Sequence, residues 1–486
     1  MTTTSGTTGT LSSLGLGSGL DANAIVTKLV ALERQPIDSL QKQADKIQTK
    51  ISAFGQIQSA MSTVRDAAKK LANPEIWAST VATSSDSTSV SFSTSAGAAT
   101  GNYSVTVGSL AASQSVVTKT PLAASTSTLG SGTLSIEIGT WSGTTFAAKA
   151  GTSAKTVTIA ATDTLEAIRD KINDAAGGAT AAIIKDASGA RLVMSSSSTG
   201  AANGFRIQAT DTGDASNTDD AGLSSLAYDL DPLNPTLGTE KKQDAKDAAA
   251  TINGVDVTSS TNKFSDVLSG ITFTVGKLAS TAISVSVTQD NDGISKAIGE
   301  LATGYSALSS LLKTNTKYDE GTKSGGVLQG DGTALALLNQ FRSAVSGSSG
   351  ASSVFATLSS IGVELQTSGD LKVNSTKLSN ALGKLSEVKK LFANSDSANS
   401  ENNGIGTRLR TLGDNLLSFD GALSSRTAGL RTSVTKNKKD QDSLNARVDL
   451  YEARLRKQYT ALDKIMAGIS AQGSYVNQTI TNWNKG

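Results

Sequence analysis

The sequence predicts an α+β, multidomain fold, in which a helical coiled-coil leg formed by both termini carries nested β-rich head domains. Both ends of the chain repeat apolar residues at spacings of three and four, which is typical of helices that pair along a seam. Between the ends, apolar residues alternate with Ser, Thr and Asn, which is typical of half-buried strands. The resulting order is helix, strands, inserted strands, strands and helix. Such a palindrome predicts that each inner domain is an insertion into the domain outside it.

The composition restricts the chemistry that the chain can perform. Its 486 residues predict several domains, and an aromatic fraction of 4% predicts lean cores. The net charge of +2 indicates neither nucleic-acid binding nor attraction to a membrane surface. The sequence contains no Cys and no His, which removes disulfides, thiolate nucleophiles and the commonest metal ligands. We therefore expect a protein that is not an enzyme, with no catalytic residues, no cofactor and no metal.

The amino-terminal arm is expected to cover residues 1–40. Residues 1–9 are Thr, Ser and Gly with almost nothing to bury, so we expect them to be disordered. They form no cleavable signal peptide, and no window of the chain approaches a membrane span, so export without a cleaved signal and no membrane insertion are expected. Asp21 is the expected N-cap of a short helix, which Pro36 breaks or kinks.

Each end of the chain then carries an expected helix with an apolar seam. One helix, in residues 41–75, belongs to the leg and ends at Asn73, and a carboxy-terminal helical arm covers residues 431–486. The arm is either a core helix of a bundle or a coiled coil with the other end of the chain or with other subunits. Its length and its mostly polar circumference favour the coiled coil. The expected seam and oligomerisation residues are Leu40, Ile47, Ile51, Phe54, Met61, Leu444, Val448, Tyr451, Leu455, Leu462, Ile465, Ile469, Val476 and Ile480.

The middle of the chain is expected to hold two nested heads. The inner β head has a first part in residues 76–120 and a second part in 242–290, and the inserted outer head covers 121–241. In the outer head we expect a short helix opened by Asp163, with Glu166 in capping-box register. Expected strands lie at 133–138, 156–159, 181–185, 191–194, 251–257, 271–275 and 283–287.

The carboxy-terminal part of the leg is expected in residues 291–430. Its pattern predicts a helix over 294–312, a Gly-rich break, a second helix over 333–345 and a hairpin that turns at 368–370. Two other features suggest chemistry. The glycines of residues 15–19 lack the Lys-Ser/Thr of a phosphate loop, and the acidic run Asp211, Asp214, Asp219 and Asp220 lacks the spacing of an EF-hand. A flexible joint and a solvated loop are the expected interpretations.

Several segments resemble the bacterial flagellar filament cap proteins, the flagellar hook-associated protein 2 family. Residues 15–37 (GLGSGLDANAIVTKLVALERQPI) resemble the amino-terminal signature of that family. Residues 251–275 resemble a repeat that flagellins and cap proteins share, and residues 163–194 a more divergent copy. Segments 326–338, 358–382 and 458–476 resemble the carboxy-terminal half of the family. The signature residues are Gly15, Leu16, Gly17, Ser18, Gly19 and Asp21.

The resemblance implies a homo-oligomeric ring, usually a pentamer, at the extracellular tip of the bacterial flagellum. Such a ring retains exported flagellin and promotes its folding and polymerisation. The implied partners are other copies of the chain, flagellin, the hook-filament junction protein and a flagellar export chaperone. Host glycans, and with them cell adhesion, are a further candidate. The alternatives are another flagellar axial subunit, of the hook-filament junction or of the filament, and a secreted adhesin.

Overall fold

The computed structural model describes residues 21–231, 238–321 and 323–484. The chain divides into two compact units. The first joins both ends of the chain, Met1–Pro74 and Asp292–Gly486, and the second is Glu75–Asn291. Helices form the first unit and sheets dominate the second, so the predicted fold class is confirmed. The expected disordered start and the glycines of residues 15–19 lie outside the described residues.

Helix α1 (Ala22–Ala72) opens the described chain. The Asp21 carboxylate accepts the backbone N–H of Ala24 at 2.9 Å, which confirms the predicted N-cap. The helix ends at Ala72, as predicted from the Asn73-Pro74 pair. Of the two outcomes predicted for Pro36, a break or a kink, the break is wrong, because α1 is one continuous helix of 51 residues.

Packing explains why the proline is tolerated. Proline removes one backbone hydrogen bond and crowds the carbonyl of the residue four positions earlier, at a cost of about 3 kcal/mol. Here that earlier residue is Leu32, whose side chain is exposed. Val30 and Ile37, on either side of the proline, both contribute to a contact with the carboxy-terminal helix. These tertiary contacts favour a helix that continues through a position where the isolated sequence favours a boundary.

The second unit follows α1. Its elements are, in chain order, β1 (Thr80–Ser84), β2 (Val90–Thr94), β3 (Gly101–Ser109), β4 (Ser115–Thr118), β5 (Gly132–Ser142), β6 (Thr145–Ala148), β7 (Lys155–Ile159), α2 (Leu165–Asp174), β8 (Ala179–Asp186), β9 (Gly189–Ser196), β10 (Gly204–Asp211), β11 (Thr239–Gln243), β12 (Ala248–Ile252), β13 (Val255–Ser259), β14 (Lys263–Leu268), β15 (Ile271–Val275) and β16 (Ala279–Gln289).

One hydrophobic cluster of this unit lies between two antiparallel sheets. Their strand orders are β1-β16-β3-β12-β13 and β14-β15-β2. The cluster includes Val105, Val285, Phe264 and Phe273, and the two phenyl rings stack with centroids 4.5 Å apart. The first and last strands of the unit, β1 and β16, pair antiparallel, so the unit begins and ends side by side in one sheet.

A second hydrophobic cluster involves the strands between β4 and β11. Its sheets have the orders β10-β5-β6, with β7 also paired to β5, and β11-β4-β9-β8. Leu134, Ile168, Phe205 and Tyr228 are buried in it. Val116 of β4 also belongs to this cluster, so the predicted boundary between residues 120 and 121 is displaced: β4 packs with the inserted strands.

Two local predictions in this unit are wrong, one about a helix cap and one about a strand. The N-cap of α2 is Thr164, whose hydroxyl accepts the N–H of Ala167, while Asp163 pairs with Lys171 instead. The single strand expected at residues 251–257 is a hairpin, in which Asn253 and Gly254 form the turn between β12 and β13 with φ values of 48° and 86°. Asn-Gly is the pair that such a turn prefers, because both positions require positive φ.

The first unit resumes after β16. Its further elements are α3 (Asn291–Thr316), β17 (Tyr318–Asp319), β18 (Ser324–Gly325), α4 (Gly332–Ser346), β19 (Val363–Leu365), β20 (Leu371–Val373), α5 (Ser375–Leu382), α6 (Leu385–Ala393), α7 (Ile405–Leu417) and α8 (Ala422–Trp483). The helices expected at 294–312 and 333–345 and the hairpin at 368–370 are confirmed.

The core of this unit is a helical bundle around the second half of α1. Phe54, Met61 and the neighbouring apolar residues of α1 are fully buried. Helix α7 approaches α1 closely at Gly413, where an added Cβ would lie 2.7 Å from the Cβ of Arg65. Within the part of the chain that the structure describes, no helix is long and apolar enough to cross a membrane.

Candidate assembly site on the carboxy-terminal helix

Helix α8 is the longest element of the described chain. It has 62 residues, which at 1.5 Å per residue corresponds to about 90 Å. Its first part runs antiparallel to α1. The side-chain amide of Asn437 donates to the carbonyl of Leu40 at 3.1 Å, and Arg456 donates to the side chain of Asn23 at 3.2 Å. The predicted pairing between the two ends of the chain is therefore confirmed.

The start of α8 is held by an ion pair between a buried carboxylate and a partly exposed guanidinium, which the sequence pattern does not predict. The guanidinium of Arg426 donates to one carboxylate oxygen of Asp331 at 2.6 Å through Nη2 and at 3.1 Å through Nε. The Asp331 side chain is 2% exposed and also caps α4, where it accepts the N–H groups of Thr333 and Ala334. One carboxylate thus joins the start of α4 to the first turns of α8.

Farther along, the two helices share a small apolar cluster, the α1–α8 cluster. Val26 and Val30 of α1 are buried against Val448 and Leu455 of α8. Tyr451 packs at its edge, and the Arg454 guanidinium lies over the Tyr451 ring at 5.3 Å from its centroid. Two of the predicted seam residues of α8, Val448 and Leu455, are therefore covered by the chain itself.

The predicted seam residues of α1 fall into two groups. Leu40, Ile47 and Ile51, like Leu444 on α8, are half-buried along the stretch where the two helices pair. Phe54 and Met61 are fully buried in the helical bundle. An oligomerisation role for Phe54 and Met61 is therefore corrected: these side chains are core residues of one chain and are unavailable to another subunit.

Beyond Leu455 the apolar seam of α8 continues but is exposed. The exposed fractions are 43% for Leu462, 60% for Ile465, 57% for Ile469, 52% for Val476 and 48% for Ile480. We call these five residues the distal seam. Among the described residues of the chain, nothing covers them, since α1 begins opposite Arg456. From there α8 continues for about 40 Å at 1.5 Å per residue.

The charge pattern of α8 changes at the same place. Residues 436–457 carry many Lys, Arg, Asp and Glu side chains, one of which, Glu452, pairs with Arg456 at 2.8 Å. From Leu462 to Trp483 the charged residues are Asp463 and Lys464. The distal seam therefore belongs to a nearly uncharged amphipathic helix. Such a surface suits burial against another protein, because few ions lose water when it is covered.

The acidic loop considered as a cation site has a structural role. The Asp211 carboxylate accepts the N–H groups of Gly213 at 2.7 Å and Leu223 at 2.5 Å. The hydroxyl of Ser224 donates to Asp219 and holds the pKa of that carboxyl below its usual range. No group of three or more acidic side chains suited to a metal ion occurs in the described residues. These acids order the loop between β10 and the buried Leu223.

Family models match most of the chain. The amino-terminal model of flagellar hook-associated protein 2 matches residues 18–114, and the carboxy-terminal model matches residues 245–471. A model described as the flagellin hook IN motif matches residues 133–198, which include the segment 163–194 that resembled a divergent repeat. Segment 251–275, the other expected repeat, falls within the carboxy-terminal match.

Whole proteins give the same result. Flagellar hook-associated protein 2 of Escherichia coli strain K12 is 30% identical over 488 residues, covering 97% of this chain and 98% of that protein. The Salmonella typhimurium protein of the same name is 30% identical over 487 residues, covering 98% and 99%. A crystal structure of the D1, D2 and D3 domains of the flagellar cap protein FliD from Escherichia coli is similar with a TM-score of 0.62. Its sequence identity is 28%, with 78% of this chain and 99% of that chain covered.

Proposed function

The chain belongs to the flagellar hook-associated protein 2 family, and from this premise we propose that it forms a ring at the distal tip of the filament. It is a flagellar cap protein, structural and non-enzymatic. In the proposed ring, exported flagellin is retained beneath the cap, where it folds and joins the growing filament. The roles of the signature residues and the number of subunits stay predictions. Gly15 to Gly19 lie outside the described chain, whereas Asp21 is the N-cap of α1.

The distal seam is the observation that carries this proposal. A helix with an exposed apolar stripe gains little stability in water by itself, and most helical stability in proteins comes from packing of such a face. The five side chains of the distal seam line up over several turns, and α1, which begins opposite Arg456, does not reach them. We infer that neighbouring subunits in the assembled flagellum cover this stripe. The candidates are other copies of the chain, flagellin and the hook-filament junction protein.

The sheet unit is proposed to form the nested heads. Two contacts between backbones support an insertion that begins and ends at one place: Lys119 N–H donates to the Gly238 carbonyl at 3.0 Å, and Ala112 bridges to Lys246. Deletion of residues 115–243 is therefore expected to leave a folded protein, as judged by circular dichroism and by gel filtration. Aggregation of that variant would contradict the nesting.

A deletion strain tests the cap function directly. Cells that lack this protein are expected to release flagellin as monomers into the medium and to have few filaments, and the wild-type gene is expected to restore them. Normal filaments in the deletion strain would contradict the proposal. An export chaperone is proposed to accompany the chain before secretion, and loss of that chaperone is expected to lower the amount of this protein in the medium.

Location separates the cap from its alternatives. Immunogold electron microscopy is expected to place the protein at the free tip of the filament, outside the cell. Labelling along the shaft or at the hook would favour another axial subunit instead. Adhesion to host glycans stays a prediction. Binding of a glycan array by residues 75–291 alone would support it.

A further inference from the structure

One layer of the α1–α8 pair is polar where its neighbours are apolar. Leu423, Leu430, Asn437 and Leu444 follow one another at intervals of seven residues on α8, so they occupy the same heptad position. Asn437 is 6% exposed. The other buried residues of α8 in the described chain are apolar: Leu423, Leu430, Val448 and Leu455. An amide at such a position stabilises a helix pair less than leucine does, which calls for a reason.

The hydrogen bonds of Asn437 fix its orientation. Its amide nitrogen donates to the Leu40 carbonyl at 3.1 Å, and its amide oxygen accepts from the side chain of Gln441 at 2.6 Å. Gln441 lies one turn along the same helix. The pair therefore forms a small network that reaches from α8 to the backbone of α1, and the network assigns the nitrogen and the oxygen of Asn437 without ambiguity.

The Leu40 carbonyl is accessible because a small residue follows it. A helical side chain leans towards the amino terminus and covers the carbonyl of the residue four positions earlier. The side chain that follows Leu40 by four positions is Ala44, which leaves the carbonyl open. One heptad away in either direction, the corresponding residues are Ile37 and Ile51. Their branched side chains would cover the carbonyls that a slipped Asn437 would meet.

We propose that Asn437, with the open Leu40 carbonyl beside Ala44, fixes the register in which α8 pairs with α1. In the native register the buried amide is paired, whereas a slip by one heptad leaves it buried against apolar side chains with no acceptor. A buried polar group without a partner is strongly disfavoured. Apolar layers distinguish the registers less sharply, because apolar side chains of similar size can replace each other at a small cost.

Register determines how far the distal seam projects beyond α1. A slip of one heptad moves α8 by about 10 Å along α1, which is about a quarter of the segment beyond Arg456. This inference concerns the pairing within one chain and does not depend on the proposed cap function. If that function holds as well, every subunit of an assembly presents its distal seam at the same height.

Spin-label distances test the proposal in the full chain. Because the sequence has no cysteine, Lys46→Cys and Lys457→Cys give one label on each helix, and both positions are exposed and away from the seam. In the native register the labelled residues are about 40 Å apart along the axis. We expect one narrow distance distribution in this background.

The decisive variant is Asn437→Leu. We expect its unfolding midpoint to rise, because a buried amide is replaced by an apolar side chain, while a second distance appears about 10 Å from the first. If Asn437 only stabilised the fold and did not set the register, Asn437→Leu would lower the unfolding midpoint and keep one spin-label distance. A single native distance in Asn437→Leu, with the midpoint either raised or lowered, overturns the proposal.

Two further variants control the experiment. Ala44→Ile leaves Asn437 in place but covers the Leu40 carbonyl, so it should also produce the second distance. Retention of the single distance in Ala44→Ile would contradict the role of the open carbonyl. Asn445→Leu, an exposed position on α8 outside the seam, makes the same chemical change and should leave one distance. A second distance in Asn445→Leu would likewise overturn the proposal, because added hydrophobicity alone would then explain the slip.

Discussion

The two halves of α8 carry the same heptad pattern in different surroundings. In the first half, Val448 and Leu455 are 2% and 8% exposed because Val26 and Val30 of α1 cover them. In the second half, Ile469 and its neighbours continue the stripe with about half of their surface in water. The pattern predicts a helix with an apolar face in both halves. What covers that face depends on where the partner helix begins, which the pattern of α8 does not contain.

Because of this difference, the two halves of α8 contribute to different properties: one to the stability of the folded chain and the other to its assembly. Side chains of the first half contribute to the stability of the folded chain, whereas those of the distal seam contribute when another molecule covers them. Substitutions in the two halves should therefore fail in different assays.

Leu455→Asp is expected to have the largest effect on the free chain. It places a carboxylate against the apolar side chains of Val26 and Val448 in the α1–α8 cluster. Loss of the apolar contact together with burial of a charge should cost about 3 kcal/mol. Hydrogen exchange of residues 22–37 should accelerate strongly, since α1 loses its partner there. Unchanged exchange in α1 would show that the cluster does not hold the two helices together.

Arg426→Met is expected to have an intermediate effect. The substitution leaves the Asp331 carboxylate buried without its cation, although the N–H groups at the start of α4 still donate to it. Breaking a buried ion pair costs about 3–5 kcal/mol, and the partial exposure of Arg426 lowers this to about 2 kcal/mol. Denaturant unfolding measures the change. Asp331→Asn with Arg426→Met should recover part of the loss, because the buried charge is then absent.

Ile469→Asp is expected to have almost no effect on the free chain. The site is exposed, so the free energy of unfolding should stay within about 0.5 kcal/mol of the wild-type value. Assembly should fail, because covering the distal seam would bury an unpaired carboxylate in every subunit. Complementation of motility in a deletion strain measures this. Lys457→Asp, an exposed position off the seam, is the control for charge and should complement normally. Equal complementation by both variants would mean that the distal seam is not an assembly surface.

Much of this fold could be predicted because its local signals agree with its tertiary contacts. Asp21 caps α1, and the strand at residues 271–275 has the predicted bounds. The prediction of a break at Pro36 is wrong because contacts on both sides of the proline outweigh its local preference for a helix boundary. The sequence predictions omit helix α7, although Ile405, Leu409 and Leu416 have helical spacing. They also omit the Asn253-Gly254 turn, although its dipeptide is a strong hairpin signal.

The candidate site shows what sequence periodicity lacks. All nine predicted seam residues of α8 lie on the helix, but periodicity does not distinguish the covered Leu455 from the exposed Ile469. It also gave no indication of Asn437, since a polar residue on an apolar stripe reads as a lapse in the pattern. Its partners, the Leu40 carbonyl and Gln441, become visible only once the two helices are placed side by side.

We infer that the distal seam becomes covered on assembly, whereas the first half of α8 is already covered in the free chain. Hydrogen exchange followed by mass spectrometry, on the free full-length chain and on its purified assembly, tests this most directly. We predict that peptides within residues 440–455 are protected in both samples. Peptides within residues 462–480 should exchange rapidly in the free chain and at least about ten times more slowly in the assembly. Equal exchange of the 462–480 peptides in the two samples would contradict the claim.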